Sequence, residues 1–410
     1  MTDISRRTAT AFLALGPALA LAACTQERTA AERTGAHQTL GTTTAWSTTK
    51  ARPAALLSTA EFGPTGRHWP SRTPRPTDRF TMVLEVDASW TAIAAAITRA
   101  VDEQPNGRVA ILVRPGTLPG YGAGSTARAV LKGVGAAGRK YRILVAPRDG
   151  AGTVQHSASL RLELVSGVSF MGFWPYPYSV VMSAVTDVAW GWSKVQALNI
   201  TGNSATPVDD VELVECVTPE AQLKDSDTWA FRTVDRSISN VSMIGCYVSP
   251  SYKQAGSSAH CDTLQLSGNS ANTGLVIRDS VIFASTNAAF IPSGAATGVI
   301  FDHSLVVGGD RMLERYPLPS GANAFTSGFP QAVNGSGSVD QLSGADSVFI
   351  GGVSGTWLDV KDCTVSGTRA PTVTTGGFTS DPALSGIDDQ WLESMAPMPS
   401  DDRLRAAWSV

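Results

Sequence analysis

The stretch Ala259-His260-Cys261-Asp262-Thr263-Leu264-Gln265-Leu266-Ser267-Gly268 brings an imidazole, a carboxyl group and an amide close together. An imidazole titrates near neutrality and can give or take a proton there. Two carboxyl groups about 5–10 Å apart can break a glycosidic bond, one as the acid and the other as base or nucleophile. Asp262 with Glu314 or Asp310 would make such a pair. Elimination beside a carboxylate needs instead a cation to neutralise that group and a base to take the neighbouring proton. Arg232, Arg311, Arg315 and Lys253 are candidates for those roles. Calcium often assists such an elimination, but no dense run of Asp and Glu announces a site, so no metal and no other cofactor is predicted. A plainer reading competes with these: Asp262 caps a turn and His260 is its partner.

Strands must position these groups. Trp229-Ala-Phe-Arg-Thr-Val-Asp235, Asp262-Thr-Leu-Gln-Leu-Ser-Gly268, Ala288-Ala-Phe-Ile-Pro-Ser-Gly294 and Arg311-Met-Leu-Glu-Arg-Tyr316 can be stacked on one another. Alternate residues of a strand face opposite sides, so Phe231, Leu264, Phe290 and Leu313 would face inward. Arg232, Gln265, Ile291 and Glu314 would then line up outside at the neighbour spacing of about 4.8 Å. Asp262, Arg311 and His260 fall at the entrance, beside Tyr252.

A second phrase recurs along the chain, an apolar residue alternating with variable ones and closing on a small polar pair. It reads Val168-Ser-Phe-Met-Gly-Phe-Trp174, Val195-Gln-Ala-Leu-Asn-Ile200, Val211-Glu-Leu-Val-Glu-Cys-Val217, Val241-Ser-Met-Ile-Gly-Cys-Tyr-Val248, Leu275-Val-Ile-Arg-Asp-Ser-Val-Ile282, Val299-Ile-Phe-Asp-His-Ser-Leu-Val306 and Leu358-Asp-Val-Lys-Asp-Cys-Thr-Val365. Its spacing suits a three-sheet solenoid coil with variable loops. The short step from Val195 to Val211 departs from the pattern, and the long gap from Val299 to Leu358 should hold a large loop or irregular coil. Cys216, Cys246 and Cys363 occupy one phase of the phrase, where other copies carry Ser280 and Ser304. That position wants a small buried side chain, and a reduced ladder is the reading favoured over a bridge. His303, at a repeat position, reads as structural, and His37, His68 and His156 have no evident role.

Composition agrees: charged residues are 16% and glycines number 39, which favours short strands broken by turns over helices. A formal net charge of −3 lends no support to nucleic-acid binding. Phe173-Trp174-Pro175-Tyr176-Pro177-Tyr178 and Trp190-Gly191-Trp192 could make a platform for apolar sugar faces, or equally could cover a sheet. On the first reading Gln265, Trp174, Tyr176, Trp190 and Tyr252 bind substrate.

Thr81 to Val86 reads as a strand, and Trp90, Ile93, Ala94, Ile97 and Val101 share one helical face with Asp87 or Ser89 as N-cap. The helix, the strand Val109 to Val113 and the turn Pro115-Gly116-Thr117 resemble the entry to right-handed parallel β-helices of the pectin-lyase-like superfamily, where the helix plugs the first coil. His260, Asp262 and Gln265 also match a His-x-Asp-x-Ile/Leu-Gln segment of some β-helix carbohydrate-active proteins. The paired acids and Gly-His-Gly of polygalacturonases are absent. At the other end Arg6-Arg7 and Leu21-Ala22-Ala23-Cys24 resemble a twin-arginine lipoprotein signal, which implies export and lipidation of Cys24; a plain secretory signal is the alternative.

The expectation is therefore an all-β chain: a signal in 1–24, a disordered tether in 25–79, a single right-handed parallel β-helix in 80–380 with an N-terminal capping helix, and a C-terminal extension or cap in 381–410 using Trp391 and Trp408. The resemblance implies a monomeric cell-envelope lipoprotein, held at the membrane through Cys24, that degrades an extracellular polysaccharide as a lyase or glycosidase. Asp262, His260, Arg232, Glu314 and Arg311 are its candidate catalytic residues. The alternative is a non-catalytic surface protein that binds glycan or another envelope component; a tail-spike-like adhesin fits the signal less well.

Overall fold

In a computed structural model the described residues are 60–121, 129–202, 206–323, 325, 328–335, 341–367 and 371–408. The signal with Cys24 and the tether up to residue 59 lie outside them. The recurring phrase forms the rungs of a 16-stranded sheet in which the strands stack in parallel, coil upon coil. Val168, Val188, Val211, Val241 and Leu275 stand in one column. Phe170, Trp190, Leu213, Met243, Ile277 and Phe301 stand in the next and are fully buried. An eight-stranded parallel sheet closes the coils on a second side. The chain is thus a parallel β-helix, as the repeat implies.

One bend recurs in successive coils from Trp192 to Asp362. Trp192, Glu215, Asp279, His303, Asp346 and Asp362 all have φ between 45° and 54°, and Gly245 shares their place. Each is followed by a small buried residue: Ser193, Cys216, Cys246, Ser280, Ser304, Ser347 or Cys363. The left-handed residue turns the chain so that the next side chain enters the core. There the Oγ of Ser280 accepts from the Cys246 N–H at 3.0 Å, Ser304 from Ser280 at 3.3 Å and Ser347 from Ser304 at 3.1 Å. Corner backbone groups that a sheet ladder cannot reach are satisfied in this way. Cys216, Cys246 and Cys363 are buried free thiols on this column, and Cys261 is a buried free thiol off it.

The true second copy of the phrase begins at Val188, which pairs with Val168 and Val211. Val195 belongs to the turn beyond it, and Leu198–Thr201 is a strand of the second sheet. Mixed apolar and small residues let both frames fit the alternation, and pairing decides. In the last copy Trp357 and Val360 face inward while Leu358 is 40% exposed, because the register shifts there. The gap after Val299 holds one more rung, Gln341–Ala345, in which Leu342 stacks on Val299.

Helix α1 (Trp90–Glu103) follows Ser89 in extended conformation and buries Trp90, Ile93, Ala96, Ile97 and Ala100. This face joins the core beside Val109, Ile111 and Val113 of the first full rung. A short helix, α2 (Met312–Arg315), interrupts a later coil. The C-terminal extension forms a 3-10 turn (Pro382–Gly386), α3 (Asp389–Met395) and α4 (Asp401–Trp408). It runs back along the solenoid flank: Arg315 pairs with Asp389 and Glu393, Lys194 with Asp401, and the Trp408 ring meets Trp69 and Trp192. Trp391 packs only partly against the core. No helix among the described residues is long and apolar enough to cross a membrane.

Residues 60–79, expected as tether, are a strap on the outer face of the large sheet. They lack an apolar period because charges and backbone groups hold them. The Gly63 and Gly66 N–H groups donate to the Asp279 carbonyl at 2.5 Å and to Glu215 Oε1 at 3.1 Å. Ser71 donates to Glu212 at 2.5 Å, and Arg72 pairs with Asp187 and Asp210. Beneath it Arg142, with no exposed side-chain surface, meets Asp187 and Glu212 at 2.5 Å each. His68 has partners after all: Glu215 at 2.6 Å and Asp279 at 2.9 Å. A Cβ on Gly245 would lie 2.4 Å from His68 Nδ1, so that bend needs a glycine to let the imidazole pass. His303 is structural as expected, bonded to Asp279 at 2.6 Å and Glu61 at 3.1 Å.

Burial alone would lower the His68 pKa, but the bonds to Asp279 and Glu215 outweigh it and leave it at about 9. A folded pKa above the unfolded one gives stability that is full below about 6.5 and is lost as pH rises through about 9. The stability gap between the parent and His68→Ala, measured by urea unfolding, should therefore shrink by up to about 3 kcal/mol between pH 6 and pH 10. An unchanging gap would show that the imidazolium does not clasp the strap.

Candidate functional site

In the second sheet Leu264 stacks on Trp229, Gln265 on Ala230, Leu266 on Phe231 and Ser267 on Arg232. The expected register placed Arg232 against Gln265, two residues away. A slip of two leaves the same faces inward, so alternation could not choose between them. Contacts at the strand entrance choose: the Asp262 N–H donates to Asp227 Oδ1 at 3.1 Å, and the Thr228 N–H to the Asp262 carbonyl at 3.0 Å. The next step is as expected, with Leu264 on Phe290 and Gln265 on Ile291.

The fourth expected strand is α2 instead. Met312, Arg315 and Tyr316 are buried at a helical spacing, and Gln331–Val333 is the rung that follows Ala288–Pro292. Glu314 and Arg311 are therefore off the sheet, and Arg311 is held by Asp310 at 2.8 Å and Glu314 at 3.2 Å. They are removed from the site.

What remains is a group at the strand entrance. Asp262 is fully buried. Its Oδ1 accepts from Asn287 Nδ2 at 2.8 Å, while its Oδ2 is sealed from solvent with no partner among the described residues. Burial pushes the carboxyl up to about 7; Asn287 opposes this, and the nearby Asp227 adds to it. Asp227, on the preceding coil, pairs with Arg232 at 2.7 Å; the Asp227 side chain is 5% exposed and Arg232 56%. Gln265 is half-buried and His260 exposed, so the imidazole is not the partner of Asp262. Cys261 is buried, its thiol pushed up to about 11 and donating to the Lys224 carbonyl at 3.5 Å. Leu223 pairs with Tyr252, which sets Lys224 beside Lys253 on neighbouring coils, and neither lysine has an ion-pair partner among the described residues.

The aromatic platform does not form where expected. Trp190 and Tyr252 are core residues: the indole donates to Ser193 Oγ at 2.8 Å and the phenol to the Tyr316 carbonyl at 2.6 Å. Trp174 is half-buried, donates to the Trp192 carbonyl at 3.0 Å and carries Arg405 over its ring at 5.0 Å. Tyr176 donates to Glu220 at 2.5 Å beneath Lys194. The misplaced Val195 frame explains the error, since Trp190-Gly191-Trp192 is the strand itself. A cavity of about 310 Å³ lies elsewhere, among Asp381, Leu384, Ile387, Asp388 and Trp391, but both acids there cap helical turns.

Asp227, Asn287 and Lys224 escaped the sequence reading. Asn287-Ala288 enters its strand as Cys261-Asp262 enters the one before, and aligning strand entrances would have found it. Among the described residues no group of three or more His, Cys, Asp or Glu side chains could hold a metal ion. One carboxylate bound by a guanidinium and another that keeps its proton near neutrality do not fit calcium. The group can hold a proton at neutral pH beside an anion already neutralised by a cation. Two carboxyl groups set apart in this way are the usual arrangement of an acid and its partner.

No family model matches the chain, and no curated protein matches it. Among solved structures it is similar to the pectate lyase Pel9A, at 10% identity and a TM-score of 0.38 over 74% of this chain and 79% of that one. The mannuronan C-5 epimerase AlgE6 A-module of Azotobacter vinelandii matches at 12% identity and 0.26, over 72% and 97%. A mannuronic acid specific polysaccharide family 6 lyase from human gut microbiota matches at 10% identity and 0.26, over 80% and 95%. These likenesses are distant ones of fold, and the β-helix assignment stands on the strand pairing of this chain itself.

A carboxyl group whose folded pKa lies at about 7, against an ordinary value of 3.8, stabilises fully below the lower value and loses that contribution as pH rises through the higher. Asp262→Asn removes the dependence. From pH 4 to pH 8 the parent should lose up to about 4 kcal/mol relative to the variant in denaturant unfolding. Parallel profiles would mean that the carboxyl is hydrated.

Proposed function

We propose that this protein cleaves an anionic extracellular polysaccharide, with Asp262 as the proton-transferring acid and Arg232 and Gln265 as substrate contacts. The observation that carries the reading is the buried carboxyl of Asp262, raised to about 7 beside an Asp227 already paired with Arg232. A group poised near the working pH is what general acid catalysis needs. Lys224 and Lys253, which follow paired strands on neighbouring coils and have no ion-pair partner among the described residues, support an anionic chain. Hydrolysis and elimination both draw on a proton donor at Asp262, and the products separate them. The reading includes export as a monomer anchored through Cys24, supported by Arg6-Arg7 and the Leu21 to Cys24 segment.

A second reading, a non-catalytic glycan-binding protein, is favoured by one observation: Asp262 has no exposed surface, so in this arrangement a substrate does not touch it.

The test is incubation of the full chain with uronic-acid, sulfated and neutral polysaccharides, following ultraviolet absorbance of unsaturated ends and reducing ends together. Turnover should fall by roughly 10²–10⁴ in Asp262→Asn and decline above about pH 7 in the parent. Absorbance identifies a lyase, and reducing ends without it a hydrolase. No product from any polysaccharide, with retention on a glycan gel unchanged by Asp262→Asn, sinks the enzyme and leaves the binding protein.

A further inference from the structure

Resting on that reading, we infer that Phe329 is a sugar-stacking platform at the lip of the Asp262 site. Among the described residues Phe329 is the most exposed large apolar side chain, at 51%. Its ring is backed rather than loose: Phe325 lies at 5.9 Å, and Phe325 rests on the Tyr252 ring at 6.5 Å. Tyr252 is itself fixed in the core through its hydroxyl. Leu223, 41% exposed, lies on the preceding coil and pairs with Tyr252.

Strand register places this ring. Asp262 pairs with Ala288, and Ala288 with Gln331. The Gln331 N–H donates to the Asn287 carbonyl at 3.2 Å, and the Asn287 N–H to the Cys261 carbonyl at 2.9 Å. Counting back along each entrance puts Phe329 in line with Thr286 and the exposed His260. Thr286 Oγ1 in turn accepts from the Lys253 N–H at 3.0 Å. Phe329 therefore lies two coils on from Asp262 and two positions before its row, on the line of His260 and Thr286, with Lys253 beside that line. An aromatic face beside polar groups takes the apolar C–H face of a sugar ring, while its hydroxyls and acid reach the rim. The occupant is one sugar residue of the anionic chain that lies across Asp262.

Affinity electrophoresis of the full chain against a polyuronate, a sulfated polysaccharide and a neutral glucan tests this. Phe329→Ala should weaken retention by about tenfold, whereas Phe329→Trp should keep it and show a shift of its indole emission on binding. Equal retention of parent and Phe329→Ala, with circular dichroism showing both folded, overturns the platform while leaving the polysaccharide reading intact. Retention by none of the three polysaccharides removes the platform together with that reading. Weaker binding in Phe329→Ala that Phe329→Trp does not restore also overturns it, since stacking is what the indole preserves.

Discussion

From Trp192 to Asp362 the coils of this protein turn on a residue held at positive φ, and the small side chain that follows enters the core and meets the backbone of the preceding coil. Glu215 with Cys216, Asp279 with Ser280 and His303 with Ser304 are such pairs. The sheets run along the length of the solenoid, and a corner is where ladder hydrogen bonds fail. The ladder of Ser and Cys side chains answers that failure within the core. It also fixes the height of every coil relative to its neighbours.

The same corner has an outward consequence. A residue at positive φ projects its own side chain away from the core, and here those side chains are Glu215, Asp279 and His303. Glu215 and Asp279, together with Asp187, Asp210 and Glu212, form a line of acids across coils, which residues 60–79 neutralise with His68, Arg72 and backbone N–H groups. Over an apolar patch of Ala110, Leu112, Leu144, Met171 and Trp192, the rings of Trp69, Phe80 and Trp408 complete a second layer. This face is closed by the chain itself. The candidate chemistry lies instead at the entrance of the second sheet, where Asp227, Asp262 and Asn287 follow one another.

Local sequence carried much of the architecture. Val211, Val241, Leu275 and Val299 announce their columns, because alternation and a repeated closing pair are properties of short stretches. Helix α1 and the buried thiols were legible for the same reason. The strap was not, since Gly63, His68 and Arg72 show no periodicity and gain their places only from partners far along the chain. Of the candidate site, Asp262, Arg232 and Gln265 were legible as residue types, whereas Asp227 and Asn287 were not.

Residue order by itself determined the parallel β-helix, its inward columns and the small residues at its corners, because each follows from contacts between a residue and its nearest neighbours in a repeating unit. Only the tertiary structure decided which residues meet. A two-residue slip keeps the same faces inward, so nothing local could tell whether Arg232 lies against Gln265 or Ser267; the Asp227 and Asp262 contacts at the strand entrance settled it. Burial, likewise, exists only in the assembled coils, and it separates Trp190 in the core from Phe329 at the surface and holds a proton on Asp262.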